Sequence, residues 1–486
     1  MKICLGYPAL DDPRGFHQTG QNRQAQVFTA PAFIYPVIPA MAATLLKRAG
    51  HEILWSDGPA EGLAWEQQMR EIERFQPDLL AWEVKTPSVM FTWSKIDAVK
   101  ERLPRCTTVL MGDHVTALPQ ESMDRCAADI VLTGGDYDFG LMAVSARLAA
   151  GEAVTGIVHQ PTTGDLKTLP VVDRRLTKWR LYGHERGSGN YKYLPGTHSM
   201  IGRDCWWRHE GGCTFCSWTN TFKNWRVATV DQFMAEVESC ASLGIRELFD
   251  DTGTFPIGAW LQECCERLIK FNDGKRHGRC RVTIGCNMRP GALKEAEWDL
   301  MGRAGFRFIL FGLESANYET LVKINKGQQP DAMRQSARMA KEAGLEPHVT
   351  AMVGYPWETK EEAMNTIRLA QELFARGWID TLQATICMPY PGTALFRQCQ
   401  DQGWLRTTDW REYAMDKPVM ISPMSDDEVL AITRGIYKSF ITPRYVLRKL
   451  ASVRTKDDAA FLWRGARLLW GHLADFSGRR PRVAVH

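Results

Sequence analysis

The reading of this chain turns on Arg203-Asp204-Cys205-Trp206-Trp207-Arg208-His209-Glu210-Gly211-Gly212-Cys213-Thr214-Phe215-Cys216-Ser217-Trp218. Cys213 and Cys216 form Cys-x-x-Cys, and Cys205 stands eight positions before Cys213. Three thiolates on one loop rich in glycine and aromatic residues point to a metal or iron–sulfur site. A cluster held by three cysteines leaves one iron without a protein ligand, an open position for chemistry. The competing reading is a structural zinc site. It is weaker because closed zinc sites want four ligands, and only three cysteines cluster here.

Downstream, strand-like runs at 198–202, 246–249, 281–285, 306–311, 348–353 and 382–388 are separated by helical patterns. Six such units predict a partial TIM-type barrel of parallel strands. Polar or glycine-bearing residues cluster where the strands end: Asp250-Asp251-Thr252, Asn287-Met288-Arg289, Gly312-Leu313-Glu314-Ser315, Gly354-Tyr355-Pro356 and Tyr390-Pro391-Gly392-Thr393. The cysteine loop follows the first strand, which puts it on the same rim.

Upstream, residues 1–150 alternate strand-like runs at 3–7, 52–55, 78–83, 107–111 and 130–133 with helical segments, one of which ends at Gly50 as at a helix C-cap. This spacing predicts a doubly wound, Rossmann-like parallel sheet. Ligands in such folds bind beyond the carboxyl ends of the strands. Small or polar residues stand there: Gly6-Tyr7, Thr86 and Ser88, Gly112-Asp113-His114 and Gly134-Gly135. They would let a large flat ligand approach the backbone. The irregular stretch 11–34 is long for a loop and suits a lid or binding loop. Residues 151–195 read as linker and peripheral strands, 196–400 as the barrel, and 401–486 as helical, with helices near 426–440, 445–453 and 459–476.

At 486 residues, with 44% hydrophobic and 24% charged side chains, the chain fits a globular protein of two or three domains. The start at Met1 shows no apolar signal segment, and no run approaches a membrane span. Thirteen cysteines, an odd number, argue for a reducing, cytoplasmic setting. Cys240, Cys264, Cys265 and Cys399 lie in helical patterns and read as core residues. The net charge of +4 is uneven: from residue 436 onward eleven Lys or Arg face three Asp, which makes the tail +8 and leaves −4 for the rest. A basic tail carrying Trp463 to Trp470 suits an anionic partner or a membrane surface; the plainer reading is a helix packed on the barrel. No nucleic-acid partner is expected.

The ordered set of the cysteine loop, Gly312-Leu313-Glu314-Ser315, Lys326-Gly327, Gly354-Tyr355-Pro356-Trp357-Glu358-Thr359 and Tyr390-Pro391-Gly392-Thr393 resembles the cobalamin-dependent radical S-adenosylmethionine enzymes. The class is that of the anaerobic magnesium-protoporphyrin ester cyclase and C-methylases, and the resemblance covers roughly residues 1–400. It implies a 4Fe–4S cluster on Cys205, Cys213 and Cys216. It also implies S-adenosylmethionine near Asp250, Asp251, Thr252, Arg289, Glu314, Ser315, Lys326, Gly354 and Pro356. Cobalamin would lie against Gly6, Tyr7, Thr86, Ser88, Gly112, Asp113, His114, Gly134 and Gly135. The implied activity is methyl transfer to an unactivated carbon of a lipid, tetrapyrrole or secondary metabolite. Flavodoxin or ferredoxin would supply single electrons. Oxidative cyclisation or hydroxylation is the alternative outcome, and a non-catalytic cobalamin or metal sensor is the alternative of another class. Phe215 and Trp218 would keep the cluster dry. The Asp-x-His-x-x-Gly motif of many cobalamin domains is absent, so His114 is expected to touch the corrin or its tail, not cobalt.

One feature departs from the family. Its usual spacing is C-x3-C-x2-C, whereas this chain has C-x7-C-x2-C, four residues more. His209 lies in the extension as a surface residue, a hydrogen-bond donor to the site, or a fourth ligand.

Overall fold

The computed structural model describes residues 1–475 apart from 21–24, 29, 185–189 and 440–441, and side chains within 437–439 and 467–475 are also outside the description. The first sheet contains β1 (Lys2–Tyr7), β2 (Glu52–Asp57), β3 (Leu79–Glu83), β4 (Thr107–Met111), β5 (Ile130–Thr133) and β6 (Gly156–His159), all parallel. Their order is β2-β1-β3-β4-β5-β6. The order reverses between β1 and β3, and that switch point is where doubly wound folds open a crevice. β3 is buried along its whole length, as expected of a parallel strand covered on both faces. Helices Val37–Arg48 and Tyr137–Ala149 pack on each other and on the sheet. The stretch read as linker and peripheral strands contributes the sixth strand.

The second sheet is also six-stranded and parallel, in simple order: β7 (Gly196–Ser199), β8 (Glu247–Asp250), β9 (Thr283–Met288), β10 (Phe306–Glu314), β11 (Glu346–Val353) and β12 (Thr381–Ile386). β7 and β12 are the two edges of this sheet, so the barrel is open, as the six βα units predicted. Its helices begin where side chains can cap them. Thr229 with Gln232 and Thr359 with Glu362 form capping boxes at Val230–Ser242 and Lys360–Arg376, and Gly377 closes the latter in a left-handed conformation. Cys240, Cys264, Cys265 and Cys399 are fully buried in helices.

Two buried charge clusters join the parts. At the carboxyl end of β5, Asp138 pairs with Arg203 at 2.7 Å and Asp136 takes two bonds from Arg226 at 2.7 and 2.8 Å. Arg203 and Arg226 face each other on the short antiparallel pair Gly202–Arg203 and Arg226–Val227, which brackets the cysteine loop. At the amino ends of the barrel strands, Arg307 bridges Glu247 and Glu346, while Lys192 links Glu346 to Asp458 at 2.6 and 2.7 Å. That cluster fastens helix Lys456–Asp475 to the barrel. Helices Asp426–Ser439 and Pro443–Ala451 precede it, close to the expected positions. No helix of the described residues is long and apolar enough to cross a membrane.

Candidate functional site

A cavity open to solvent lies at the carboxyl ends of the barrel strands. All six strands reach it, through His198, Asp251, Arg289, Glu314, Met352 and Met388 at or just beyond their ends, and the cysteine loop forms one wall. Gln18 and Ile34 line it from the irregular stretch expected to be a lid, and Tyr390 takes part in a 3.2 Å bond from the Ala25 N–H. Residues 21–24 and 29 of that stretch lie outside the described residues.

Cys205, Cys213 and Cys216 all line this cavity. Cys205 Sγ shares a 3.0 Å hydrogen bond with Thr254 Oγ1, and Arg289 Nη1 lies 4.0 Å from Cys213 Sγ. Burial pushes the Cys213 thiol up, while the nearby Lys326 and Arg289 cations oppose that shift. Among the described residues no three His, Cys, Asp or Glu side chains form a group placed to hold a single ion. A cluster does not need that, since each thiolate takes its own iron. Phe215 and Trp218 line the same wall.

The extension between Cys205 and Cys213 is ordered. Trp206–Glu210 form a 3-10 turn closed by Gly211, and Gly212 is also left-handed. Arg208 reaches back across the loop to hold Asp204 in bonds of 2.6 and 2.9 Å and the Trp218 carbonyl at 3.2 Å. His209 is exposed and outside the cavity wall, which matches the surface role among its three readings.

The residues expected around S-adenosylmethionine divide into two groups. Asp251, Arg289, Glu314 and Lys326 line the cavity. Lys326 Nζ donates to Glu314 Oε1 at 2.8 Å, and a Cβ on Gly312 would stand 2.2 Å from that oxygen. Glycine in the Gly-Leu-Glu-Ser stretch therefore makes room for the ion pair. The other five support the wall from behind. Asp250 accepts from Ser199 Oγ, Ile201 N and Thr252 N at 2.8, 2.9 and 3.1 Å, fixing the turn after β7, and burial raises its carboxyl. Thr252 accepts from Gly202 N, and Ser315 accepts from Asn317 N. Gly354 N donates to Glu358 at 2.8 Å, and Pro356 is buried in the turn between them.

Asn287 carries no sequence signal beyond its strand-end position. Its Nδ2 donates to Asp251 Oδ1 at 3.0 Å and to the Thr252 carbonyl at 2.9 Å. Two acceptors on that side set the amide orientation and leave the buried Oδ1 without a protein partner. For Thr254, Asp204 and Arg208 the sequence signal is proximity to a cysteine or to a strand end.

The nine residues expected around cobalamin fall along the carboxyl edge of the first sheet, and none lines the cavity at the barrel strand ends. The chain itself covers this edge. A Cβ on Gly135 would stand 2.3 Å from the Phe222 ring, and one on Gly134 would stand 2.2 Å from the Gln160 carbonyl oxygen. Gly6 and Gly112 likewise face the backbone of Ser56 and Val84. Tyr7 donates to Glu83 within the core. Ser88 Oγ donates to the Lys85 carbonyl at 3.0 Å, and Asp113 Oδ2 lies 3.4 Å from Lys85 Nζ. His114 is buried between Trp93 and Trp410, with Nδ1 3.2 Å from Thr86 Oγ1. At these four glycines the space a side chain would take is filled by the protein's own backbone and rings.

Residues 200–370 match the radical SAM superfamily. An uncharacterized methyltransferase of Pyrococcus horikoshii is 25% identical over 423 residues, 83% of this chain and 87% of that protein. The anaerobic magnesium-protoporphyrin IX monomethyl ester cyclase of Rubrivivax gelatinosus is 24% identical over 437 residues, 85% of this chain and 75% of the cyclase. Among solved structures, the radical S-adenosylmethionine methyltransferase TsrM of Kitasatospora setae, with cobalamin and a [4Fe-4S] cluster bound, superposes with a TM-score of 0.66 at 15% identity, covering 96% of this chain and 98% of TsrM. The cobalamin-dependent S-adenosylmethionine radical enzyme OxsB superposes with a TM-score of 0.65 at 12% identity, covering 98% of this chain and 72% of OxsB. At these identities the likeness to TsrM and OxsB is one of fold.

Proposed function

We propose that this chain, whose barrel carries a radical SAM domain, is a cobalamin-dependent radical S-adenosylmethionine enzyme that transfers a methyl group to an unactivated carbon of a lipid, tetrapyrrole or secondary metabolite. The observation that carries the reading is one cavity wall holding Cys205, Cys213 and Cys216 beside Arg289, Lys326, Glu314 and Asn287. The donor set fits the group. Three thiols suit a 4Fe–4S cluster with one open iron. Two cations suit a carboxylate, and the buried, unpartnered Asn287 Oδ1 suits an ammonium. Cys205, Cys213 and Cys216 would hold such a cluster, which, given one electron from flavodoxin or ferredoxin, would supply the reductive cleavage of S-adenosylmethionine.

The protein's own part is to bind, orient and exclude water. Arg289 and Lys326 hold the carboxylate end of the amino acid, while Asp251 and Asn287 face its ammonium. Glu314 keeps Lys326 in place. Leu310, Met352, Met388 and Met415 line the cavity with apolar surface, which favours a hydrophobic substrate. His198 is buried and bonded to the Tyr191 hydroxyl, and burial lowers its imidazole to about 3, so it brings no charge to the cavity. The cobalamin part of the reading is supported by the fold shared with TsrM and OxsB.

Anaerobic reconstitution should give about four iron per chain, and Cys213→Ala should lower that content; unchanged iron would refute the cluster. S-adenosylmethionine with a reductant should then release 5′-deoxyadenosine, and no release would end the radical reading. Cobalamin supplied during expression should co-purify. The cyclase relative favours a second reading, oxidative ring formation without methyl transfer, which product mass spectrometry separates. A sensor would not need the cationic cavity wall.

A further inference from the structure

We infer that the four-residue extension of the cysteine loop is a clamp whose Trp207 positions Arg289 and the Lys326 turn against the cluster thiols, and so sets the affinity for the carboxylate end of S-adenosylmethionine. The inference rests on the function proposed above. Arg289 is 6% exposed, and its guanidinium lies over the Trp207 ring at 4.1 Å and the Trp206 ring at 5.6 Å. Both rings stand in the long stretch between Cys205 and Cys213. Arg289 also donates to the Lys326 carbonyl, so one guanidinium joins β9, the Lys326 turn and the extension.

Trp207 grips the same turn by a second route. Its indole Nε1–H donates to the Asn325 carbonyl at 2.7 Å. Its ring lies on the backbone of Gly327, where a Cβ would come within 1.9 Å of Cζ2. The grip is returned: Asn325 Nδ2 donates to the Glu210 carbonyl at 2.7 Å and the Gly212 carbonyl at 2.8 Å, and Thr214 N donates to the Ile324 carbonyl at 3.0 Å. Asn325 adopts a left-handed conformation, φ 50°, uncommon outside glycine and tolerated best by asparagine and aspartate. The turn so held carries Lys326, paired with Glu314. The seven residues between Cys205 and Cys213, four more than the usual three, thus join the cluster loop to the two cations.

A buried guanidinium that loses an aromatic face loses both attraction and orientation. Trp207→Ala should bind S-adenosylmethionine about tenfold more weakly, as a desolvated cation–π contact implies, at unchanged iron content. Affinity is read on the oxidised cluster by equilibrium dialysis, and the ligand-induced change in the reduced cluster's EPR spectrum is read separately. In turnover, KM for S-adenosylmethionine should rise more than kcat falls. Trp207→Phe keeps a ring face and should recover most of the affinity. If Trp207→Ala loses iron, Trp207→Leu, which keeps apolar bulk without a π face, decides by the same criterion. Unchanged affinity in an iron-replete Ala or Leu variant overturns the inference. So does iron loss in both, which would make Trp207 part of the cluster's own fold. A wild-type protein that holds iron yet shows no response to S-adenosylmethionine would instead overturn the proposed function.

Discussion

Gly327→Ala should be costly through one specific neighbour. The new Cβ would stand 1.9 Å from Trp207 Cζ2 and 2.1 Å from Cη2, against ordinary carbon contacts of about 3.5–4 Å. The ring cannot retreat freely, because its Nε1 is held by the Asn325 carbonyl and its face by Arg289. Gly327 also has φ 60°, and a side chain in left-handed backbone costs about 1–2 kcal/mol. Overpacking adds about 1–3 kcal/mol, so the expected loss is about 2–5 kcal/mol when the two are taken together. Only the second part depends on Trp207. In a Trp207→Ala background the clash disappears, and Gly327→Ala should cost only the backbone part. Urea unfolding of the four proteins of this double-mutant cycle, performed anaerobically, measures the coupling. A coupling of about 1–3 kcal/mol is expected. Equal cost of Gly327→Ala in both backgrounds would show that the ring does not confine the turn, and the reasoning would fail.

Other predictions follow from single contacts. Asp138→Ala strands Arg203, 2% exposed, without its counter-ion; a loss of about 3–5 kcal/mol is expected, seen as a lower thermal midpoint, and Arg203→Met in the same chain should restore part of it. Burial raises the Glu358 carboxyl to about 8, above its unfolded value, so the folded state holds the proton more tightly. Stability from this group is present at acid pH and falls as pH rises from about 5 to 8, and Glu358→Gln should flatten the melting midpoint over that window. His209→Ala should leave iron content and S-adenosylmethionine cleavage as in wild type, because the side chain is exposed and away from the cavity; loss of iron would reinstate it as a ligand.

Much of the fold was legible because its signals are local. Parallel strands buried on both faces read as short apolar runs, and those at 306–311 and 348–353 fall within strands Phe306–Glu314 and Glu346–Val353. The strand-end rule placed Asp251, Arg289 and Glu314 on one cavity, since all strands of a parallel sheet point their carboxyl ends the same way. The same rule could not tell cavity-facing residues from supporting ones. Asp250 and Asp251 are adjacent in sequence, yet one is consumed by Ser199 and Ile201 while the other lines the cavity. At the carboxyl edge of the first sheet, the ring that packs where a Gly135 side chain would stand is that of Phe222, eighty-seven positions on, which no local pattern announces.

The amino-acid order alone therefore determined the alternation of strands and helices, the shared rim and the three thiols, because periodicity and strand direction are properties of neighbouring residues. Which atoms meet across that rim was decided only by the tertiary structure. The Trp207 ring, the Arg289 guanidinium and Gly327 lie far apart along the chain and meet through packing, bringing the departure from the usual cysteine spacing into contact with the cations of the cavity wall. Packing of that kind depends on distances between strands and loops, which no local pattern encodes.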